Sequence, residues 1–581
     1  MRIEKVHIKG FRNFDDTEIT VGKKVLMIGA NDVGKTNFIY ALRLLFDKSI
    51  SEHDLELSDE DYNAYTNPQS IEITVFINEI VEDCLLSAFE GDVKDGRSVI
   101  RYTNDRNGTY SFSIGISEEM LRECTSRKYI RALNMQCVDT NRELFSFLRR
   151  ERNQILQLSR EKRNELETEE DEQRTQGIQG DLDRINSEIN SLHFVSNALE
   201  NVNQELSELS AHNEDQTIKF VAGQSDAGRM LDNLSLAYMA DSNPLTIGGD
   251  GRNNQIFLAT WIAKQNIQKN IDHVTFYAIE EPEAHLHPHQ QRKLSEYIVG
   301  KFADQVIVTS HSPHIAARFS PENIIRLYSV NKLTYAASGG CSNTIQRVFR
   351  EFGYRRNVLS AESFFADGIL LVEGVSEVLF YTALAEELGL DLDRRNITIL
   401  SVEGVGFKPY VAICDALEIP WALRTDNDVF AVPKSKGVMY YAGISRAVGI
   451  YEEAFGKEND LAAYWHEHKD ENFWRGKKPS NKAVSLNVAV RTYLAEKGIF
   501  LSDVDLETDL SRSKLKETLK QYYGIQRVGT ALVESMKRRK AENMMEFLEM
   551  NKSSLNTLSN DPILEPLRFL IKQLNERVHP Q

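Results

Sequence analysis

Carboxylates set the chemistry to be expected from the second half of this chain. Gly368-Ile-Leu-Leu-Val372 is an apolar, strand-like run that ends in Glu373-Gly374, with Glu377 at the start of a helical pattern. Trp421-Ala-Leu-Arg-Thr425 leads in the same way to Asp426-Asn427-Asp428, and a later cluster holds Asp503, Asp505, Glu507 and Asp509. If these runs lie parallel in one sheet, their acids meet at one carboxyl edge, where open α/β folds build their sites. Carboxylates within about 6 Å of one another repel and raise their own pKa values. Hard divalent cations, which prefer oxygen ligands, relieve that repulsion. Two such ions about 4 Å apart can stabilise both the attacking and the leaving oxygen of a phosphodiester. A lone Asp-x-Asp is a weak signal, whereas strand-Glu-Gly followed by strand-Asp-x-Asp is specific. For Asp505, Glu507 and Asp509, exposure on a loop stands beside the metal reading. Two basic segments, Arg475–Lys482 and Lys537-Arg538-Arg539-Lys540, could be solvated faces or could supply phosphate contacts and one lysine to neutralise developing charge.

The first half carries a different chemistry. Gly29-Ala-Asn31-Asp-Val-Gly34-Lys35-Thr36 fits G-x-x-x-x-G-K-[ST] between the apolar run Val25–Ile28 and a helical pattern from Asn37. Backbone N–H groups of such a loop cradle phosphates at a helix N-terminus. Lys35 would reach the terminal phosphates of ATP or another nucleoside triphosphate, and Thr36 would hold Mg²⁺. Downstream, the buried run Val274–Ile279 ends in Glu280-Glu281, whose carboxylates would bind Mg²⁺ and orient the attacking water. The run Gln305–Thr309 is followed by His311, which could sense the γ-phosphate. Gly248-Gly249-Asp-Gly251 precedes a predicted helix over 254–265.

Around these residues, Met1–Ile28 reads as two strands and Ile71–Ile77 as a third. Ser98–Ile116 reads as a hairpin turning at Asn107-Gly108. Such early antiparallel strands are foreign to a plain doubly wound fold. From Asn141 to Leu209 the chain turns polar and nearly free of aromatics, with helical or heptad-like Leu/Ile spacing. A break at Gly177–Gly180 would fold two helices back on each other, as a solvated excursion or a dimerisation arm.

At 581 residues the chain needs several cores, and 41% hydrophobic with 27% charged residues is a globular composition. No apolar run is long enough to span a membrane, and Met1–Ile8 alternates as a strand with no signal-peptide core. Five scattered cysteines without C-x-x-C spacing suit a reducing cytoplasm and argue against zinc or disulfides. A net charge of −17 excludes a simple basic DNA-coating protein, though not a local basic channel.

The ordered set Lys35, Thr36, Glu280, Glu281 and His311 resembles the ABC-type ATPase heads of the SMC, RecF and OLD families. In these, the counterpart of Gly249 belongs to a signature loop that caps nucleotide on the partner subunit. Ile247 stands where a serine is usual there, and Glu280 where Asp is commoner, so strong hydrolysis is not implied. The strand-Glu-Gly and Asp-x-Asp pattern resembles the Toprim domain. Head, helical insertion and Toprim domain together resemble the OLD (overcoming lysogenization defect) family, especially the nucleases of Gabija anti-phage systems.

That resemblance implies an α/β chain divided into an ABC-type head (1–140 and 216–345), a helical insertion (141–215) and a Toprim nuclease domain with C-terminal helices (346–581). It makes Glu373, Glu377, Asp426, Asp428, Asp505 and Glu507 ligands for Mg²⁺ or Mn²⁺, two ions per site, and Lys540 the catalytic lysine. It implies nicking of double-stranded DNA held back by bound NTP, a dimer or tetramer, a UvrD-like helicase partner and a bacterial cytoplasmic setting. The alternative is an SMC- or RecF-like ATP-driven DNA clamp with a non-cleaving Toprim-like domain. The short helical arm argues against it.

Overall fold

Eight strands precede the helical insertion: β1 (Arg2–Phe11), β2 (Phe14–Thr20), β3 (Lys24–Ile28), β4 (Ser70–Asn78), β5 (Ser98–Asp105), β6 (Tyr110–Gly115), β7 (Arg122–Cys124) and β8 (Leu133–Val138). Three strands, not two, thus precede the glycine loop, because Arg12 turns back in the left-handed region (φ 50) and Val21-Gly22 separates β2 from β3. In this computed structural model the described residues are 1–124, 126–138, 156–157, 159–209, 219, 226–232, 238–240, 243–245, 259, 273–301, 304–342, 361–402, 406–433, 435, 437–476, 478–525 and 530–578. An antiparallel sheet runs β2-β1-β4-β5-β6-β7. Its alternation buries Ile71, Ile73, Val75 and Ile77 of β4 in the same core as Phe38, Leu42 and Leu45 of the helix Lys35–Phe46.

The chain divides into two compact units, one of Met1–Asp139, Asp272–Glu283 and Pro288–Gln581, the other of Thr140–Ile271 with Ala284–His287. In the second unit a 27-residue helix, Glu165–Ser191, is followed by the helix His193–Leu209. The expected break at Gly177–Gly180 is absent, because both glycines lie inside the longer helix. No atom stands within 4 Å of where their Cβ atoms would sit. Each glycine costs about 1 kcal/mol against alanine, which the surrounding Glu, Gln, Arg and Leu residues outweigh. The chain leaves the helix at Leu192 (φ −63, ψ 129), and its start is fixed by an Asn164–Glu167 capping box. The short strands β9 (Tyr238–Ala240) and β10 (Asn243–Leu245) pair antiparallel in this unit.

Back in the first unit, β11 (Val274–Glu280), β12 (Val306–Thr309), β13 (Ile324–Val330) and β14 (Leu333–Ala336) join β3 and β8 in a second sheet. Its order is β14-β13-β3-β12-β11-β8, parallel except for the edge strand β14. The acids after β11 and His311 after β12 therefore lie at the same sheet end as the glycine loop after β3.

Beyond residue 361 come β15 (Gly368–Val372), β16 (Ile397–Ser401), β17 (Trp421–Thr425), β18 (Val429–Ala431), β19 (Val438–Tyr441), β20 (Phe473–Arg475) and β21 (Ile499–Leu501). The order β16-β15-β17-β21 makes a wholly parallel sheet, and β18-β19-β20 a small antiparallel one. Leu370 and Val372 of β15 share a core with Phe380 and Leu384 of the helix Val375–Glu387 and with Phe547, Leu548 and Leu567 of the C-terminal helices. The basic run 537–540 joins two helices, Thr530–Lys537 and Lys540–Asn551, the second of which Lys540 opens. Arg326, beside Ile28 in the sheet, is buried and donates to the carbonyls of Ala366 (2.9 Å) and Leu417 (3.2 Å), which precede β15 and β17. Among the described residues no helix is long and apolar enough to cross a membrane.

Candidate active site

The glycine loop sits between β3 and the N-terminus of the helix Lys35–Phe46. Gly34 occupies the N-cap at φ 104, and a Cβ there would meet the Asn13 amide at 2.3 Å. The Lys35 ammonium turns back onto the loop, donating to the carbonyls of Gly29 (2.9 Å) and Ala30 (2.8 Å). Burial draws its pKa down to about 8, against the pull of Glu281, Asp32 and Glu283. Thr36 Oγ1 donates to Glu280 Oε2 at 2.9 Å, joining the loop to the end of β11. His311 Nε2 lies 3.5 Å from Glu281 Oε1. Burial and then Lys35 lower its pKa, with Glu281 opposing. Asn31 is exposed in the loop. Gly249 and its signature segment lie outside the described residues, as does the predicted helix over 254–265 apart from Ala259.

The acids of the second half gather at the carboxyl ends of β15, β17 and β21. Glu373 Oε1 accepts from Thr425 Oγ1 (2.5 Å) and from the Asp426 N–H (2.9 Å), which fastens the end of β15 to the end of β17. Burial, with the charges of Glu373 and Glu377, pushes Asp426 up to about 8. Glu377 is buried, accepts from Ser376 Oγ at 2.9 Å, and is raised chiefly by that burial. Asp505 caps the helix Leu506–Arg512, accepting from the Thr508 N–H at 2.8 Å, and pairs with Lys537. Burial works to raise Asp505, but the hydrogen bonds from Lys537 and Thr508 win and hold it low. Lys540 Nζ lies 3.3 Å from Glu507 Oε2. Burial opposes its charge, yet Glu507, Asp426 and Glu377 together keep its pKa raised. Asp509 points elsewhere, into a 2.5 Å ion pair with the buried Arg424.

Three further groups belong to these sites. Arg446, on the helix Ala442–Phe455, donates to Glu373 Oε1 (3.1 Å), Thr425 Oγ1 (3.0 Å) and the Asp426 carbonyl (2.9 Å), and approaches Asp428 Oδ2 at 3.4 Å. Nothing local marked it, because the β18–β19 hairpin returns it to the acids. Lys537 pairs with Asp505, and only the basic composition of its run hinted at a role. Glu283 accepts from Ser310 Oγ and the His311 N–H, both at 2.7 Å. Its other oxygen is buried without a hydrogen-bond partner among the described residues.

The donor set suits a hard divalent cation. It offers only oxygen, and Asp426 is lifted to about 8 by burial first and then by the charges of Glu373 and Glu377, negative charge that a cation would relieve. Beyond its ion pair with Lys540, the buried Glu507 Oε2 has no hydrogen-bond partner among the described residues. The acids are turned toward Arg446, Lys537 and Lys540, and no three of them among the described residues close around a single point.

Fold and sites together define a P-loop ATPase head of the ABC type joined to a Toprim domain. Residues 25–317 match the family described as "AAA domain, putative AbiEii toxin, Type IV TA system", and residues 364–428 match the overcoming lysogenization defect protein-like TOPRIM domain. The first match spans half of the chain, which belongs to that family and, in joining it to an OLD-like TOPRIM domain, is an OLD-type protein. It is 26% identical to endonuclease GajA of Bacillus cereus over 90% of this chain and 91% of that protein. It is 23% identical to the OLD nuclease of Thermus scotoductus over 74% of this chain and 83% of that protein. Among solved structures, an Smc head bound to the C-terminal winged-helix domain of ScpA aligns with a TM-score of 0.35 and 17% identity, covering 58% of this chain and 97% of that one.

Proposed function

We propose that this chain is a divalent-metal-dependent DNA endonuclease that nicks double-stranded DNA under restraint by nucleotide bound to its ATPase head. The observation that carries the reading is the gathering of Glu373, Asp426 and Asp505 with Lys540 beyond the carboxyl ends of one parallel sheet, where burial and then the charges of Glu373 and Glu377 push Asp426 up to about 8. The endonuclease named among the relatives supports it.

Glu373, Glu377, Asp426, Asp428, Asp505 and Glu507 would hold Mg²⁺ or Mn²⁺, and the metal would supply charge stabilisation at the attacked phosphodiester. Glu373 fixes the backbone of Asp426 and so the spacing between β15 and β17. Lys540 remains protonated among its acids and offers a proton and a positive charge to an oxygen developing negative charge. Arg446 and Lys537 balance the remaining carboxylates and are candidate phosphate contacts.

In the head, Lys35, Thr36 and Asn31 would cradle ATP, Glu280, Glu281 and His311 would face its terminal phosphate, and Gly249 would cap it from a second subunit. The reading extends to domain limits at 140, 215 and 345, a dimer or tetramer, a UvrD-like helicase partner, and a role against phage in a bacterial cytoplasm. Supercoiled plasmid incubated with Mg²⁺ and the purified chain is expected to become nicked, and Asp426→Ala to abolish the product. A variant that cuts like the parent chain overturns the assignment. Vigorous ATP turnover with no scission would support the clamp instead.

A further inference from the structure

The antiparallel sheet β18-β19-β20 leaves the candidate active site directly, since β18 begins at the residue after Asp428, and it carries a row of aromatic rings. Its register pairs Phe430 with Tyr440 and Tyr440 with Phe473. Directly paired residues share one face of a sheet, so the three rings lie in line across three neighbouring strands. Tyr440 and Phe473 stack with centroids 5.6 Å apart and planes 29° from parallel. Phe430 is 52% exposed and Phe473 43% exposed, although a phenylalanine in a sheet ordinarily turns to a core. The opposite face is the anchored one, with Trp474 buried and its ring 4.8 Å from that of Tyr441. Arg475, two residues along β20 from Phe473, belongs to the same face as the row and is exposed, as is Lys478 just beyond.

We infer that this face is a stacking platform for unpaired bases of a DNA strand, which it presents to the carboxylates beside Asp428. The inference rests on the nuclease reading above and names its substrate class as DNA that is locally melted or single-stranded. Aromatic faces stack on any exposed base, whereas a closed duplex offers its bases only edge-on. Arg475 and Lys478 beside the row match the phosphate backbone that accompanies such bases, and the platform is continuous with the site that would cut the strand. A contact with a second copy of the chain would use the rings but has no need of the cations.

The test is fluorescence anisotropy of the full chain in EDTA with three probes of one sequence: a duplex, the same duplex with a central unpaired bubble, and the single strand. The chain is expected to bind the bubble and the single strand roughly tenfold or more tighter than the duplex. Phe430→Ala with Phe473→Ala should remove that preference and leave duplex affinity unchanged, while Phe430→Tyr with Phe473→Tyr should restore it. A 2-aminopurine placed in the bubble should be quenched by the parent chain and not by the alanine variant, whose melting temperature reports that it is folded. Equal binding of bubble and duplex by the parent chain overturns the inference, and so does a folded alanine variant that keeps the preference. A variant that changes mass in light scattering while keeping the preference assigns the face to contact between copies and overturns it too. Failure to bind any DNA overturns the nuclease reading as well, whereas duplex nicking without a bubble preference overturns only the platform.

Discussion

Asp426→Asn should make the protein more stable above neutral pH. Burial and the neighbouring Glu373 and Glu377 lift this carboxyl from 3.8 to about 8 in the folded chain. An unfolded chain releases the proton near pH 3.8, whereas the folded chain keeps it until about pH 8. Between those values the folded state binds more protons, so its stability falls as pH rises. The gap of about 4 pH units, at 1.36 kcal/mol each, sets a ceiling of about 5 kcal/mol. Water entry and side-chain rearrangement within a carboxylate cluster reduce that to about 2–3 kcal/mol. Asparagine keeps the shape of the protonated acid and never ionises. Thermal melts in EDTA should therefore coincide near pH 4 and separate by about 2–3 °C at pH 8.5, the variant melting higher. Mg²⁺ should narrow the difference by stabilising only the parent chain. A variant that melts lower at pH 8.5, or a difference independent of pH, would refute the idea that burial and the neighbouring acids hold Asp426 protonated.

Other perturbations read different parts of the chain. Asp509→Ala leaves the buried guanidinium of Arg424 without its carboxylate and should cost about 3–5 kcal/mol in urea unfolding, while Arg424→Met with Asp509→Leu should cost less. Equal losses would deny the pair its structural role. Lys35, drawn down to about 8, is already charged below that pH and largely neutral above it. ATP binding above pH 8 should thus take up a proton, seen as a dependence of calorimetric heat on the buffer's ionisation enthalpy, and binding without uptake contradicts it. Gly34→Ala puts a Cβ against Asn13 in a left-handed conformation that costs about 1–2 kcal/mol. At least tenfold weaker ATP binding is expected, and unchanged binding would show that the loop adopts another shape.

The parts legible in the sequence were those whose signal is local. Gly29–Thr36 announces strand, loop and helix because only glycine suits φ 104 at residue 34. Glu373 and Asp426 stand out because an apolar run stops at each, which is what a buried parallel strand looks like at its carboxyl end. What escaped depends on tertiary return of the chain. Arg446 is one arginine in an ordinary helix until a hairpin brings it to Glu373, and Glu283 gains meaning only when β12 lays Ser310 and His311 against it. Gly177 and Gly180 misled because a glycine pair weakens a helix without having to break it. The row Phe430–Tyr440–Phe473 needs the register of three strands, which neither residue type nor spacing supplies.

Nicking of supercoiled plasmid in Mg²⁺ across an ATP titration, by the parent chain and by Lys35→Ala, tests most directly whether the acids beyond Glu373 cut while the glycine loop restrains. Cleavage by the parent chain is predicted to fall as ATP rises, and Lys35→Ala to cut at every ATP concentration. Cleavage that requires ATP, or a folded Lys35→Ala chain that cannot cut, would contradict the account.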